Sequence, residues 1–127
     1  MPGDGHFFCP VVLTDVPPDA RVMREEIFGP IVAIAPFDDE DEALALANDH
    51  AAGLAAYLFT TDLERAMRLG SAIEAGMVAI NRGRVSCVAA PFVGVGHSGF
   101  GHSGGPEGID EYLVTRYLTM PAAGGGS

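Results

Sequence analysis

The sequence predicts an α/β fold in which strand, helix, strand, helix and strand alternate, with parallel pairing. Three short apolar runs, residues 31–37, 54–60 and 77–81, have the length of buried strands, and the first is rich in β-branched residues. Two segments of helical character, each opened by acidic or cap-forming residues, separate them. Right-handed crossovers join strands arranged in this way and make them parallel neighbours.

Residues 7–16 start apolar around Pro10 and end at Asp15, which fits an irregular or edge strand. Pro17-Pro18 breaks it, and residues 19–26 suit a short helix capped by Asp19. The run Arg24-Glu25-Glu26-Ile27-Phe28-Gly29-Pro30 follows. Gly29 reaches backbone angles closed to other residues, and Pro30 fixes φ and withholds a donor. A sharp turn there holds Glu26 and Phe28 at the mouth of the strand at 31–37. A carboxylate so held suits the hydroxyls of a sugar, and an aromatic face suits a flat ring. The plainer alternative is a charged helix end followed by a core Phe.

Residues 38–42, all acidic, open the helical segment 43–48, because negative charge favours the positive end of the helix dipole. They read as a helix start rather than a metal site. Gly53 connects to the strand at 54–60. Thr61 and Glu64 then form a T-x-x-E capping box. The helix after it places Leu63, Ala66, Met67, Gly70 and Ile73 on one face, and Gly76 ends it before residues 77–81. Regularity is lost from 82 to 105, a segment too long for an idle connection. Residues 109–113 look helical, 114–120 alternate like a last strand, and the small-residue tail 122–127 is expected to be disordered.

A chain of 127 residues suits one domain, and 48% hydrophobic residues suffice for a core. A net charge of -10 argues against nucleic acid or an anionic membrane as partner. No apolar run approaches the roughly 20 residues of a spanning helix, and no secretion signal is expected. Cys9 and Cys87 match no zinc or redox spacing, so a reducing cytoplasm and two inert thiols are expected.

Gly94-Val95-Gly96-His97-Ser98-Gly99 matches G-x-G-x-x-G, but it lacks a preceding strand, a helix opening in it and an acid about 20 residues on. It is not a dinucleotide fingerprint. His97 and His102 lack carboxylate or thiolate partners at ligand spacing and read as loop histidines, with no metal.

Several stretches together carry a resemblance. They are Phe7-Phe8 with Pro10, Glu25 to Pro30, Ala47-Asn48, Gly53 to Tyr57, Ile80-Asn81, Pro91-Phe92, Ser98-Gly99 with Gly101, and Gly108 to Leu113. In this order the chain resembles the C-terminal part of an aldehyde dehydrogenase, and residues 81–92, with Gly83 and Ser86, look most like the succinate-semialdehyde dehydrogenase branch. The resemblance implies a partial catalytic domain over 1–105, a terminal helix and oligomerisation strand over 106–121, and the tail 122–127. It implies that Glu26 holds the ribose beside the nicotinamide of NAD or NADP, with Phe28 near the nicotinamide end. Ser86 would hold the distal carboxylate of a semialdehyde, and Phe92 would line the aldehyde tunnel.

The family's nucleophilic Cys, general-base Glu, oxyanion-hole Asn and cofactor domain lie upstream of the matched part. Neither Cys9 nor Cys87 stands in the nucleophile's place, so no catalytic residue is assigned. The glycine loop departs from the family pattern at Val93, Gly96, His102 and Ser103. The expected function is that of a fragment of an NAD(P)-dependent dehydrogenase. It would oxidise an aldehyde to a carboxylate only when the missing parts are supplied. The alternatives are a non-catalytic interaction or oligomerisation module that adds its terminal strand to a partner's sheet, a gene relic, and a small enzyme using Cys87. Self-association, or pairing with other aldehyde dehydrogenase subunits, is expected because one sheet face is left uncovered.

Overall fold

The structure, a computed structural model, describes residues 5–121; the first four residues and the tail 122–127 lie outside the described residues. Two β-α-β units organise it. In the first, β1 (Val11–Leu13) runs parallel to β2 (Ile31–Ala33), with Val11 opposite Ile31 and Leu13 opposite Ala33. The strands are shorter than the expected 7–16 and 31–37. Pro10 and Pro36 withhold ladder donors near their ends. Two further bonds, Ile34 N–H to the Leu13 carbonyl at 2.9 Å and Val16 N–H to the Ile34 carbonyl at 3.0 Å, extend the pairing. Between them α1 (Arg21–Arg24) is a single turn. Its N-cap is Ala20, not Asp19, because the chain first closes a turn from the Ala20 amide to the Pro17 carbonyl.

The acidic start is confirmed in α2 (Glu40–Asn48). Asp39 caps it by accepting from the Glu42 amide at 2.9 Å, and the Glu42 carboxylate accepts from the Asp38 amide at 2.7 Å. Next, β3 (Ala52–Gly53) leads into the second unit: β4 (Ala55–Leu58), α3 (Leu63–Ala72) and β5 (Met77–Ile80). Here the parallel ladder runs from Ala55 opposite Met77 to Leu58 opposite Ile80. The N-cap of α3 is Asp62, whose carboxylate accepts from the Arg65 amide at 3.0 Å. This corrects the Thr61 and Glu64 box, since Asp62 already serves the first-turn amide. Asn48 ties α2 to the end of α3, donating to the Ala72 carbonyl and accepting from the Glu74 amide.

Pairing within each unit is parallel, as expected, but no ladder joins β2 to β4 among the described residues. The β-α-β-α-β order is therefore folded as two two-stranded sheets. The expected face of α3 also shifts. Ala66 and Leu69 are buried and Gly70 and Ile73 half-buried, an i, i+3, i+4, i+7 stripe, whereas Leu63 and Met67 point to solvent. Val16, Met77 and Ala79 complete the buried apolar set among the described residues.

The segment 82–105 is less irregular than its composition suggests. It contributes β6 (Phe92–Val93), β7 (Val95–Gly96) and β8 (His102–Ser103). β6 pairs with β8 and β7 with β3, both antiparallel. Gly53 makes the second contact possible, since a Cβ there would lie 2.5 Å from the Glu74 carbonyl oxygen and 2.6 Å from Val95 Cγ2. A 3₁₀ helix, Pro106–Tyr112, begins earlier than the expected 109–113. Residues 114–120 are not a strand here. A strand needs a ladder, and these residues pair with none among the described ones, leaving Val114 and Tyr117 exposed.

The chain exposes 10493 Å². A folded monomer of 13.2 kDa exposes about 6,400 Å². Large apolar side chains left exposed include Phe28, Val88, Phe100 and Tyr117. No helix of the described residues is long and apolar enough to cross a membrane.

Candidate functional site

The turn expected at Gly29-Pro30 is present. The Gly29 amide donates to the Ile27 carbonyl at 2.9 Å and the Ile31 amide to the Gly29 carbonyl at 2.8 Å. The Val11 amide donates to the Pro30 carbonyl at 2.9 Å, which fixes the turn to β1. Around it, charges are already committed. The Arg21 guanidinium grips Glu25 through Nε at 2.8 Å and Nη2 at 2.7 Å, and Arg24 reaches Asp49 at 2.7 Å. The Arg21 fork holds the Glu25 carboxyl below its ordinary value. Glu26 is exposed and makes no side-chain hydrogen bond or ion pair among the described residues. Phe28 is 95% exposed, which removes the reading of a core Phe. The turn thus presents one uncommitted carboxylate and one bare aromatic face.

The second candidate pair sits in the long loop. Asn81 adopts φ 54°, and its side chain brackets Thr60, accepting from the Thr60 amide at 2.9 Å and donating to its carbonyl at 2.8 Å. This fixes the loop where it leaves β5. At the far end the Gly105 amide donates to the Val88 carbonyl at 3.2 Å. Between those anchors Ser86 and Phe92 line one open cavity of about 290 Å³, with Arg84, Cys87 and Ser103. A neighbouring cavity of about 730 Å³ is lined by Arg82, Gly83, Arg84, Ser86 and Val88. Ser86 and Phe92 are therefore brought together, whereas Glu26 and Phe28 line neither cavity.

The Gly94 to Gly99 run is spent on packing. The His97 amide donates to the Ala51 carbonyl at 2.9 Å, the Ser98 amide to the Val95 carbonyl at 3.1 Å, and Ser98 Oγ accepts from the Gly53 amide at 2.9 Å. The His97 and Ser98 amides are therefore unavailable to a phosphate; β6 does directly precede the run, against the expectation that no strand would, but no helix opens in it. His102 is more than a loop histidine. It lies on β8 opposite Val93, and its Nδ1 is 3.5 Å from a Glu111 carboxylate that also accepts from its amide. Among the described residues no group of three potential metal ligands is gathered. Cys9 and Cys87 are both free and exposed.

Arg82 and Arg84 line the larger cavity and were not singled out from the sequence. The available signal was charge scarcity: seven basic residues stand against seventeen acids, yet two of the seven lie two positions apart.

The sequence pattern of the aldehyde dehydrogenase family matches residues 1–118. The chain belongs to the aldehyde dehydrogenase family. A succinate-semialdehyde dehydrogenase of Paenarthrobacter nicotinovorans is 48% identical over 116 residues, 91% of this chain and 26% of that protein. The NADP(+) succinate-semialdehyde dehydrogenase of Escherichia coli is 46% identical over 116 residues, 91% of this chain and 24% of that protein. The NAD+ complex of an aldehyde dehydrogenase from Bacillus cereus superposes with a TM-score of 0.84 at 38% identity, over 88% of this chain and 23% of that one. The chain thus spans about a quarter of the length of these relatives. The two β-α-β units are a partial α/β domain of the aldehyde dehydrogenase fold.

Proposed function

We propose that these residues are the C-terminal part of an NAD(P)-dependent semialdehyde dehydrogenase, which oxidises an aldehyde to a carboxylate. They supply contacts to cofactor and substrate but no nucleophile. The observation that carries this reading is the state of the acidic turn. Arg21 engages Glu25 and Asp49 engages Arg24, so Glu26 stays uncommitted beside a bare Phe28. That pair fits sugar hydroxyls and a flat ring, as in the ribose and nicotinamide of NAD or NADP. The His97 and Ser98 amides of the glycine run are already bonded and no helix opens there, so the phosphates depend on residues outside this segment. When bound, the nicotinamide ring accepts hydride.

Ser86 is assigned to the distal carboxylate of the substrate and Phe92 to the wall of the aldehyde path; their shared cavity supports both roles. Residues 1–105 belong to the catalytic domain and 106–121 to a terminal element that joins another subunit's sheet. The exposed apolar side chains of 113–120 support that assembly.

A chimera tests the reading. Residues 1–118 of this chain replace the matching quarter of the Paenarthrobacter enzyme. The chimera is expected to reduce NAD(P) with succinate semialdehyde. Glu26→Gln should raise KM for the cofactor about tenfold, the size of a lost charged hydrogen bond. Ser86→Ala should raise KM for succinate semialdehyde about fivefold while leaving butyraldehyde unaffected. A folded chimera indifferent to both substitutions would overturn the assignments.

A further inference from the structure

We infer that Arg84, supported by Arg82, is a specificity-determining cation that receives the distal carboxylate together with Ser86. The inference rests on the proposed dehydrogenase reading and extends it to residues that the resemblance leaves unassigned. Four of the chain's arginines are held by carboxylates: Arg21 by Glu25, Arg24 by Asp49, and Arg65 and Arg68 by Glu40. Arg82 and Arg84 have no carboxylate partner among the described residues, although the chain carries 17 acids against 7 bases. Two guanidinium groups two residues apart repel each other. In a chain of net charge -10, leaving both uncompensated at one place favours an incoming anion.

Their location narrows the anion's chemistry. Arg84 and Ser86 line both of these loop cavities, Arg82 lines the larger of the two, and the two arginines also share a third cavity of about 420 Å³ beside β5. The smallest cavity adds Phe92 and Cys87, so a ligand there meets a guanidinium fork, a hydroxyl and an apolar wall. A planar carboxylate on a short apolar chain satisfies all three: Arg grips carboxylates bidentately, Ser donates one hydrogen bond, and the methylenes lie on Phe92. Arg82, outside the smallest cavity, raises the local potential beside it.

Residue-resolved protection from phenylglyoxal tests this on the purified chain, with succinate as the probe and butyramide as its neutral control. Succinate at ten times its apparent Kd should slow modification of Arg84 about tenfold by mass action. Arg82 should be slowed less, Arg116 should react at an unchanged rate, and butyramide should protect none of them. Ser86→Ala should raise the succinate concentration needed. Equal protection of Arg84 and Arg116, or none at any succinate concentration, would overturn the inference. Absent protection beside an active chimera would sink this assignment alone; protection beside an inactive chimera would sink the dehydrogenase reading instead.

Discussion

The two β-α-β units share one plan and differ in what their helices do. In the second, α3 spans ten residues and buries Ala66 and Leu69 over a four-residue ladder. In the first, α1 is one turn, buries nothing, and spans a three-residue ladder. The better covered unit is the scaffold. The poorly covered one carries Glu26 and Phe28, the groups proposed for ligand contact. Glu26 and Phe28 are solvent-facing there, and the single turn of α1 buries no residue.

The sharpest way to break this contrast is Leu69→Ala, which should cost about 2–4 kcal/mol by leaving a cavity against the second sheet. Chemical denaturation measures it, and a loss under 1 kcal/mol would mean that α3 is not the clamp. Next in size is Asn81→Ala, which removes both bonds to Thr60 from a left-handed residue. A loss of about 1 kcal/mol is expected. Asn81→Gly keeps the backbone freedom, so any difference between the two variants isolates the strain. Hydrogen exchange should find the β5 amides slower to exchange than those of β2; equal protection would erase the distinction between the units.

Acid should weaken the structure. Glu25, Glu40 and Asp62 are held below their ordinary values, the first two by arginine partners and Asp62 mainly by the Arg65 amide. A lowered folded value means stability that is present above the ordinary carboxylate range and lost as pH falls through the lowered value. The melting temperature should therefore fall on acidification, and added salt should shrink the part due to the arginine pairs. The smallest effect is expected for Phe28→Ala. A side chain 95% exposed contributes little packing, so the melt should not move. A clear destabilisation would return Phe28 to a structural role.

Much of the fold was legible because periodicity and turn chemistry are local. The strands at 31, 55 and 77, the acidic start of α2 and the turn at Gly29-Pro30 all follow from neighbours within a few residues. Where two local signals competed, the sequence misled: Thr61 and Asp62 both suit an N-cap, and only the fold selected Asp62. The strand expected at 114–120 has no ladder among the described residues, since alternation cannot name the partner that a ladder requires. The site was half legible. An aromatic beside a carboxylate is visible in a string of residues. Which arginines are already paired is not, because Arg24 finds Asp49 and Arg68 finds Glu40 across 25 and 28 positions. The open state of Arg82 and Arg84 emerges only after those pairs have formed.

The central claim is that these 127 residues bring binding groups without a nucleophile. The most direct measurement is aldehyde-dependent NAD(P)H production by the purified chain, with succinate semialdehyde, both cofactors and a Cys87→Ala control. No turnover is expected from either protein. Turnover by the chain that Cys87→Ala abolishes would contradict the claim and make the cavity of Ser86, Cys87 and Phe92 an active site in its own right.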